Sequence, residues 1–255
     1  MISKIKNLIS YIYGLKQEKV VRSISNYLIS DKYKRIYFYH IRKAAGKSIT
    51  DMIMALEGKD HYVKYGELYS ASNHRIIYND KVFVGWHPIL IQKGHYYYAF
   101  SHLPFHNLII PEDTFTFTCL RDPSSRVISY YKMLIRLRDQ KDLSTTIKKE
   151  IGSLGKSFSD FLDNVPKHRL LNQLYMFSKE YSISEASERI LGLSHYFLVE
   201  NFTEGIEMLG EKLNLNLNIL HTDRAKNTDN ISDVDISKLR DILDLEYRLI
   251  ENIQS

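Results

Sequence analysis

The chain has 255 residues, 44% of them hydrophobic and 25% charged, and this ordinary globular composition excludes collagen-like and low-complexity proteins. The chain has a single cysteine, Cys119, which excludes an intrachain disulfide and a cysteine-rich zinc site. Because Cys119 falls within a predicted strand, we expect it to be buried in the core. No stretch approaches the ~20 apolar residues that cross a bilayer, and no signal-peptide cleavage pattern is visible.

The first 34 residues predict a basic N-terminal helical extension. Residues 1–35 carry eight Lys or Arg and two Asp or Glu, which accounts for the whole net charge of +5. The basicity is therefore local and does not predict a nucleic-acid surface. Apolar residues at helical spacing are Ile5, Leu8, Ile9 and Ile12. Such a helix would either contact anionic lipid or pack on the domain with its basic face in solvent.

Apolar runs rich in β-formers predict strands that alternate with helices, in a single domain over residues 35–255. The strand candidates are 35–41, 81–87, 96–102, 114–120 and 196–201. Helices are predicted from Ile49 to near Gly58, after Asp122, after Asn201 with Glu204 as its capping partner, and from Ile236 to Ile253. The polar stretch 136–157 predicts a surface excursion. This alternation predicts an α/β fold with a mainly parallel sheet.

The segment FYHIRKAAGKSIT, residues 38–50, predicts a phosphate-binding loop between a buried strand and a helix. Free backbone N–H groups and the helix dipole attract an anion at such a turn. Gly46 lets the backbone approach the anion, Lys43 and Lys47 add positive charge, and Ser48 adds a hydroxyl. The alternative is an ordinary tight turn with exposed lysines.

Which phosphate the loop would bind is a separate question. Gly46-Lys47-Ser48 ends like the nucleotide P-loop G-x-x-x-x-G-K-[ST], but Ile41 stands where that pattern has its first glycine. The strand 114–120 ends in Arg121, where a magnesium site prefers a carboxylate. Both departures weaken a kinase or ATPase interpretation. Arg121 and Ser129 would suit a second phosphate, although in isolation a surface arginine and a polar helix face explain them better.

Three segments together resemble the sulfotransferase family that includes the heparan and dermatan/chondroitin uronyl 2-O-sulfotransferases. They are FYHIRKAAGKSI, FSHLPF and FTFTCLRDPSSRVISYY. The family typically shows F-x-H-[IV]-P-K-x-x-G-[TS]-S, a G-H-like segment and F-x-x-x-R-D-P-x-x-R-x-x-S-x-Y. The match covers roughly residues 36–132, and LLNQLYMFS and YFLVENFTEGIEMLGEKLNL look like later family segments. The resemblance implies a P-loop-like, three-layer α/β/α fold.

The resemblance also implies the ligand, 3′-phosphoadenosine 5′-phosphosulfate (PAPS), with no metal. Residues implied to hold its 5′-phosphosulfate are Lys43, Ala44, Gly46, Lys47 and Ser48. Arg121 and Ser129 are implied to hold the 3′-phosphate, which ATP lacks. The chain departs from the family at Arg42 (usually proline), Ala45 (usually glycine), Lys47 (usually Thr or Ser) and Ser101 (usually glycine). The loop departures leave open which side chains contact the 5′-phosphate.

By the same resemblance, His102 is the catalytic base and Lys43 neutralises charge on the leaving oxygen. The rival histidines are His40, His95 and His106, of which His40 is expected to brace the loop by a hydrogen bond. Further expectations concern residues elsewhere in the chain. Asn172 and Gln173 would contact acceptor or cofactor, or lie on a helix surface, and Lys226 would close over the cofactor.

The leading hypothesis is therefore a PAPS-dependent sulfotransferase acting on a carbohydrate hydroxyl, in a surface glycan or its precursor. The alternatives are a P-loop kinase and a non-catalytic module that binds a nucleotide or glycan. Golgi members of the family carry an N-terminal anchor that is not visible here, so we expect a cytoplasmic, bacterial protein. Its basic N-terminus would suit peripheral contact with the inner membrane face.

Overall fold

The computed structural model describes residues 21, 27–71, 73–140, 143–220 and 231–255. The strands of this part of the chain are β1 Arg35–Tyr39, β2 Arg75–Tyr78, β3 Lys81–Gly85, β4 Tyr98–Ser101, β5 Thr114–Leu120 and β6 His195–Leu198. They form one sheet in the order β2-β3-β4-β1-β5-β6. Only the β2–β3 pair is antiparallel among these described strands, which confirms the predicted mainly parallel α/β fold.

Helices flank this sheet. They are α1 Gly46–Ala55, α2 His61–Ser70, α3 Pro88–Lys93, α4 Pro123–Arg138, α5 Thr145–Ile151, α6 Phe158–Asn164, α7 Lys167–Leu170, α8 Asn172–Phe177, α9 Ile183–Leu191, α10 Phe202–Leu213, α11 Asp233–Ile242 and α12 Asp244–Gln254. Short 3₁₀ turns lie at Phe105–Asn107 and Val199–Asn201. As predicted, α4 begins with Asp122 as N-cap, and its Oδ1 accepts a hydrogen bond from Ser125 N at 2.7 Å.

The three layers follow from the alternation of side chains along the strands. Ile36 and Phe38 face a core cluster that also contains apolar residues of α1, α2 and α10. Tyr37 and Tyr39 face the opposite cluster, which contains residues of α3, α8, α9 and α12. A third cluster, built by α4, α6, α7 and α11, lies outside the sheet. Cys119 is fully buried in the first of these clusters, as predicted.

Strand β2 was not predicted from the sequence. It forms a hairpin with β3 through Asn79 and Asp80, whose φ angles are 45° and 59°. Two consecutive left-handed residues are typical of the two-residue turns that suit the twist of a hairpin, and Asn and Asp tolerate this conformation. The Asn79-Asp80 pair between two apolar runs is therefore the feature of the sequence that predicts this hairpin.

Three details of the structure differ from the local predictions. The stretch 136–157 contains α5, which buries Glu150, because that carboxylate pairs with arginines of other segments. The predicted last helix is two helices that meet at Leu243. Asn201 precedes α10 without a capping hydrogen bond from its side chain.

The predicted N-terminal extension lies outside the described residues apart from Val21 and residues 27–34. Within that part, the hydroxyl of Tyr27 donates to Asp80 O at 3.0 Å and accepts from Val82 N at 2.9 Å. The ring of Tyr33 meets Phe115 edge-on at 5.2 Å. These residues thus lie against the sheet. Across the described ranges, no helix combines the length and apolarity needed to cross a membrane.

Candidate active site

The predicted site residues lie where neighbouring parallel strands end. The strands β3, β4, β1 and β5 are adjacent in that order, and they are followed directly by Trp86, His102, His40 and Arg121. In an open α/β sheet, ligands bind outside this carboxyl edge. The fold therefore brings residues that are far apart in the sequence to one row, which we call the carboxyl edge.

The loop from β1 to α1 is a tight turn with a strained backbone. Lys43 and Ala45 have left-handed φ angles of 67° and 56°, which non-glycine residues rarely adopt. Between them, Ala44 is fully buried. Ile41, at the position of the first P-loop glycine, is also fully buried. The loop thus has a buried isoleucine and a buried alanine where a nucleotide P-loop has a glycine-rich segment.

Gly46 is required by the imidazole of His40. A Cβ atom on Gly46 would lie 1.7 Å from Nε2 of His40, well inside any real contact distance. The His40 ring stacks on Phe38 with 5.3 Å between ring centroids and lies 4.3 Å from the ring of His102. His40 thus braces the loop through ring packing on Gly46, and the predicted hydrogen bond involves its main-chain carbonyl instead.

That carbonyl fixes the tautomer of His102. Nδ1 of His102 lies 2.7 Å from the oxygen of His40, and a carbonyl oxygen only accepts hydrogen bonds. The proton therefore resides on Nδ1, and Nε2 keeps its lone pair. This is the form of histidine that accepts a proton from a substrate hydroxyl.

The surroundings of His102 keep its ring neutral. Burial lowers its pKa to about 4, and the charges of Arg42 and Arg169 contribute to the lowering. The hydrogen bond to His40 acts in the opposite direction and does not offset these effects. The ring is thus uncharged at neutral pH, as a general base must be.

Positive charge without a carboxylate partner collects beside the loop. Burial lowers the pKa of Lys43, and nearby guanidinium groups, those of Arg136, Arg121 and Arg42, lower it further. Within the described ranges, no carboxylate pairs with Lys43, Arg121 or Arg136. Crowded cations without counter-charges favour the binding of an anion, and Lys43 and Arg121 are also partly buried.

Lys47 differs from Lys43 in this respect. Its ammonium lies 2.5 Å from the buried carboxylate of Asp51, one turn further along α1. It also lies over the rings of Tyr62 and Tyr65, at 4.7 and 5.2 Å from their centroids. The charge of Lys47 is therefore already neutralised within the chain, whereas that of Lys43 is available. Ser48 is partly buried in the first turn of the same helix.

The two predicted phosphate-binding segments contact each other. The guanidinium of Arg121 donates to the carbonyl of Lys43 at 3.1 Å, and its Nε is buried without a partner among the described residues. Gln173 holds the Arg121 backbone from both sides, accepting from its N–H at 2.8 Å and donating to its carbonyl at 3.0 Å. Ser129 lies partly buried on α4, the helix that follows Arg121.

A buried carboxylate that the sequence did not single out pairs with both arginines whose charges act on the base. Glu150 pairs with Arg42 at 2.6 Å and with Arg169 at 2.9 Å. Asn172 accepts a hydrogen bond from the Arg42 backbone at 3.3 Å. Glu150 therefore orders the two arginines whose charges act on His102. No sequence pattern distinguishes it from its exposed neighbours in the stretch 136–157.

A second missed residue is Glu246 of α12, which is fully buried. Its carboxylate accepts hydrogen bonds from Gln173 N at 2.6 Å and from the guanidinium of Arg126 at 3.3 Å. Arg126 is the second arginine of the R-D-P-x-x-R motif and is only 1% exposed. Asn172 and Gln173 are buried as well, which contradicts the alternative that they lie on a helix surface.

The remaining candidates lie elsewhere or outside the described residues. The ring of His106 packs edge-on against Tyr175 at 5.4 Å, after β4. His95 precedes β4, at the edge of the sheet opposite to the candidate site. Lys226 falls in the range 221–230, outside the described residues. In the part of the chain that is described, no group of three His, Cys, Asp or Glu side chains forms a metal-binding cluster.

Comparison with known proteins gives one family. The sequence profile of the Sulfotransferase family matches residues 25–186. No curated protein matches the chain. Among solved structures, the mouse sulfotransferase SULT7A1 complexed with PAP is similar, with 12% sequence identity and a TM-score of 0.38. The similarity covers 88% of this chain and 68% of the mouse chain.

Proposed function

Because the chain belongs to the sulfotransferase family, we propose that it transfers a sulfuryl group from PAPS to a hydroxyl group of a carbohydrate. The single observation that carries this proposal is the position of His102. Its Nε2 keeps the lone pair of a neutral ring, and its Nδ1 donates to His40, which follows the strand that leads into the loop carrying Lys43. A base for a hydroxyl proton and an anion site for a donor thus lie side by side.

The residues at the carboxyl edge fit the donor. PAPS supplies an activated sulfuryl group and two separate phosphate groups. Lys43 and the N-terminus of α1 would hold the phosphosulfate end, and Arg121 with Ser129 would hold the 3′-phosphate. The Nε of Arg121, which is buried without a partner among the described residues, supports this assignment, because an unsatisfied guanidinium donor favours an anionic ligand.

In the proposed reaction, His102 would accept a proton and Lys43 would stabilise negative charge. Nε2 of His102 would accept the proton of the acceptor hydroxyl as that oxygen forms its bond to sulfur. The bond between sulfur and the bridging phosphate oxygen breaks in the same displacement. Lys43 would stabilise the negative charge that remains on that oxygen. The electron pair leaves with the phosphate, so no oxidant or reductant is required.

Calorimetric titration with 3′,5′-bisphosphate product (PAP), with ADP and with ATP·Mg²⁺ tests the proposal. We expect PAP to bind at least tenfold more tightly than ADP in the wild type. Arg121→Ala should abolish that preference, whereas Arg138→Ala, an exposed position of the following helix α4, should keep it. Equal or tighter binding of ATP·Mg²⁺ would support the P-loop kinase alternative, which the Gly46-Lys47-Ser48 sequence favours.

A further inference from the structure

The strand order indicates on which side of the candidate site the donor and the acceptor would bind. The donor-binding residues follow β1 and β5, while His102 follows β4 on the other side of β1. In an in-line displacement, the acceptor enters opposite the leaving group. The acceptor should therefore lie beyond His102, over the end of β3, and the residue that follows β3 is Trp86.

Trp86 is held at that position by its backbone and by aromatic packing. Its N–H donates to Phe100 O at 2.9 Å, which continues the parallel pairing of β3 and β4 past the end of the strand. Its φ angle is 53°, a left-handed conformation that is rare and costly for a large side chain. The indole packs edge-on against Phe100 at 4.8 Å. A costly backbone conformation thus sets the direction of a rigid ring.

The indole links the ring of the base to an exposed aromatic ring. Its centroid is 6.4 Å from that of His102 and 5.6 Å from that of Tyr69, a residue of α2 that is 60% exposed. The indole itself is only partly buried. A row of aromatic rings therefore runs from the base, past the end of β3, to an exposed residue of α2.

We infer that Trp86 is an acceptor-binding residue, whose indole supports a sugar ring so that one hydroxyl reaches Nε2 of His102. The inference rests on the proposed function and specifies which part of the chain selects the acceptor. A flat, rigid aromatic side chain presents apolar area at little entropic cost, and the axial C–H groups of a pyranose ring match such a surface. The indole would therefore contact the carbons of the sugar ring, and other residues would recognise any charged groups of the acceptor.

The sequence contains one tryptophan, so its fluorescence reports on Trp86 alone. The probes are cellobiose, N,N′-diacetylchitobiose and digalacturonate, which represent neutral, acetamido and anionic sugars. Each is titrated into the wild type saturated with PAP while Trp86 emission is recorded. We expect at least one probe to shift the emission saturably, because the sugar replaces water on the indole.

Binding of the same probe to variants is measured by saturation-transfer NMR, in the presence of PAP. Trp86→Leu should weaken it about tenfold, and Trp86→Phe should retain most of it. Tyr33→Leu is the matched control, since Tyr33 is a partly buried aromatic packed on the same core cluster but next to Phe115, near the start of β5. PAP affinity, measured by calorimetry, should stay within twofold in all three variants.

The outcomes separate the inference from the proposed function. If no probe binds the PAP complex saturably, or if Trp86→Leu binds sugar as the wild type does, the inference is overturned while PAP binding upholds the donor site. If the wild type binds sugar through Trp86 yet binds no PAP, the sugar site is supported and the sulfotransferase proposal fails.

Discussion

The Nδ1 of His102 and the main-chain oxygen of His40 are 2.7 Å apart, and this contact joins the end of β4 to the end of β1. One atom pair thus fixes both the tautomer of the base and its position beside the loop. The arginines near the base, Arg42 and Arg169, contribute to its low pKa, after burial. The base is consequently uncharged at neutral pH.

The pH dependence of the base follows from this environment. A base works only when unprotonated, so a pKa lowered to about 4 predicts activity that persists as the pH falls and is lost near pH 4. The His102 titration should be followed by NMR of its ring Cε1–H, assigned by its loss in His102→Gln. Replacing Arg42 by Met should move the midpoint upward, because a nearby positive charge is removed. A midpoint near 6.5 in the wild type would contradict this account.

Removing the base should separate chemistry from donor binding. His102→Gln should lower kcat by roughly 10²- to 10⁴-fold, the usual contribution of a general base. PAP affinity should change little, because the donor is held by residues of β1, β5 and their loops. His106→Gln, in the 3₁₀ turn after β4, is the control and should keep full activity. An unchanged rate in His102→Gln together with PAP binding would indicate a non-catalytic nucleotide-binding protein.

Lys43 and Lys47 are only four residues apart, but their substitutions should have different effects on PAP binding and stability. Lys43→Met should weaken PAP binding by ~1.5–3 kcal/mol, because a charged donor to phosphate is removed. Lys47→Met should leave PAP affinity within about twofold and lower thermal stability instead, since Asp51 would lose its partner while fully buried. Calorimetry and thermal denaturation of both variants measure the two effects. Equal losses of PAP affinity would show that Lys47 also contacts the donor.

The contact between Gly46 and His40 gives a steric prediction. Gly46→Ala should destabilise the fold by ~1–3 kcal/mol and weaken PAP binding, because the new Cβ displaces His40 and with it the loop. Gly66→Ala in α2 is the matched control: nothing lies within 4 Å of its Cβ, so helix propensity should stabilise it by ~0.5–1 kcal/mol. Urea denaturation compares the two. A stable Gly46→Ala protein with normal PAP binding would mean that His40 moves freely.

Local sequence patterns predict an element correctly where its structure depends only on neighbouring residues. The run 114–120 became β5 with those bounds, and Asp122 caps α4 as predicted, because both depend on nearby residues alone. The loop was predicted from its place between a strand and a helix, whereas the role of His102 came from the family resemblance and stays a prediction. The prediction of a mainly parallel α/β fold followed from the same alternation of strands and helices.

Other features depend on contacts between segments that are far apart in the sequence. Glu150 and Glu246 look like surface acids, and only the tertiary structure places them beside buried arginines. The strand order β3-β4-β1-β5, which brings Trp86 next to His102, is likewise a property of the assembled sheet. Sequence periodicity records which face a residue occupies, but not which distant residue it meets.

The buried pair Arg126–Glu246 should support the donor site from behind. Glu246→Gln leaves the guanidinium of Arg126 buried without its counter-charge, so unfolding free energy should fall by about 3 kcal/mol. PAP affinity should fall as well, because Glu246 holds Gln173, which in turn holds the Arg121 backbone. Urea denaturation and calorimetry measure the two effects.

Two further variants define what the pair contributes. Glu251→Gln, an exposed position of the same helix α12, should change neither stability nor PAP affinity. The double variant Arg126→Met/Glu246→Leu should recover much of the stability, since apolar side chains often replace a buried ion pair without loss. It should not recover PAP affinity, because a leucine offers no acceptor to the N–H of Gln173. Recovery of both would show that the pair stabilises the fold without positioning Arg121.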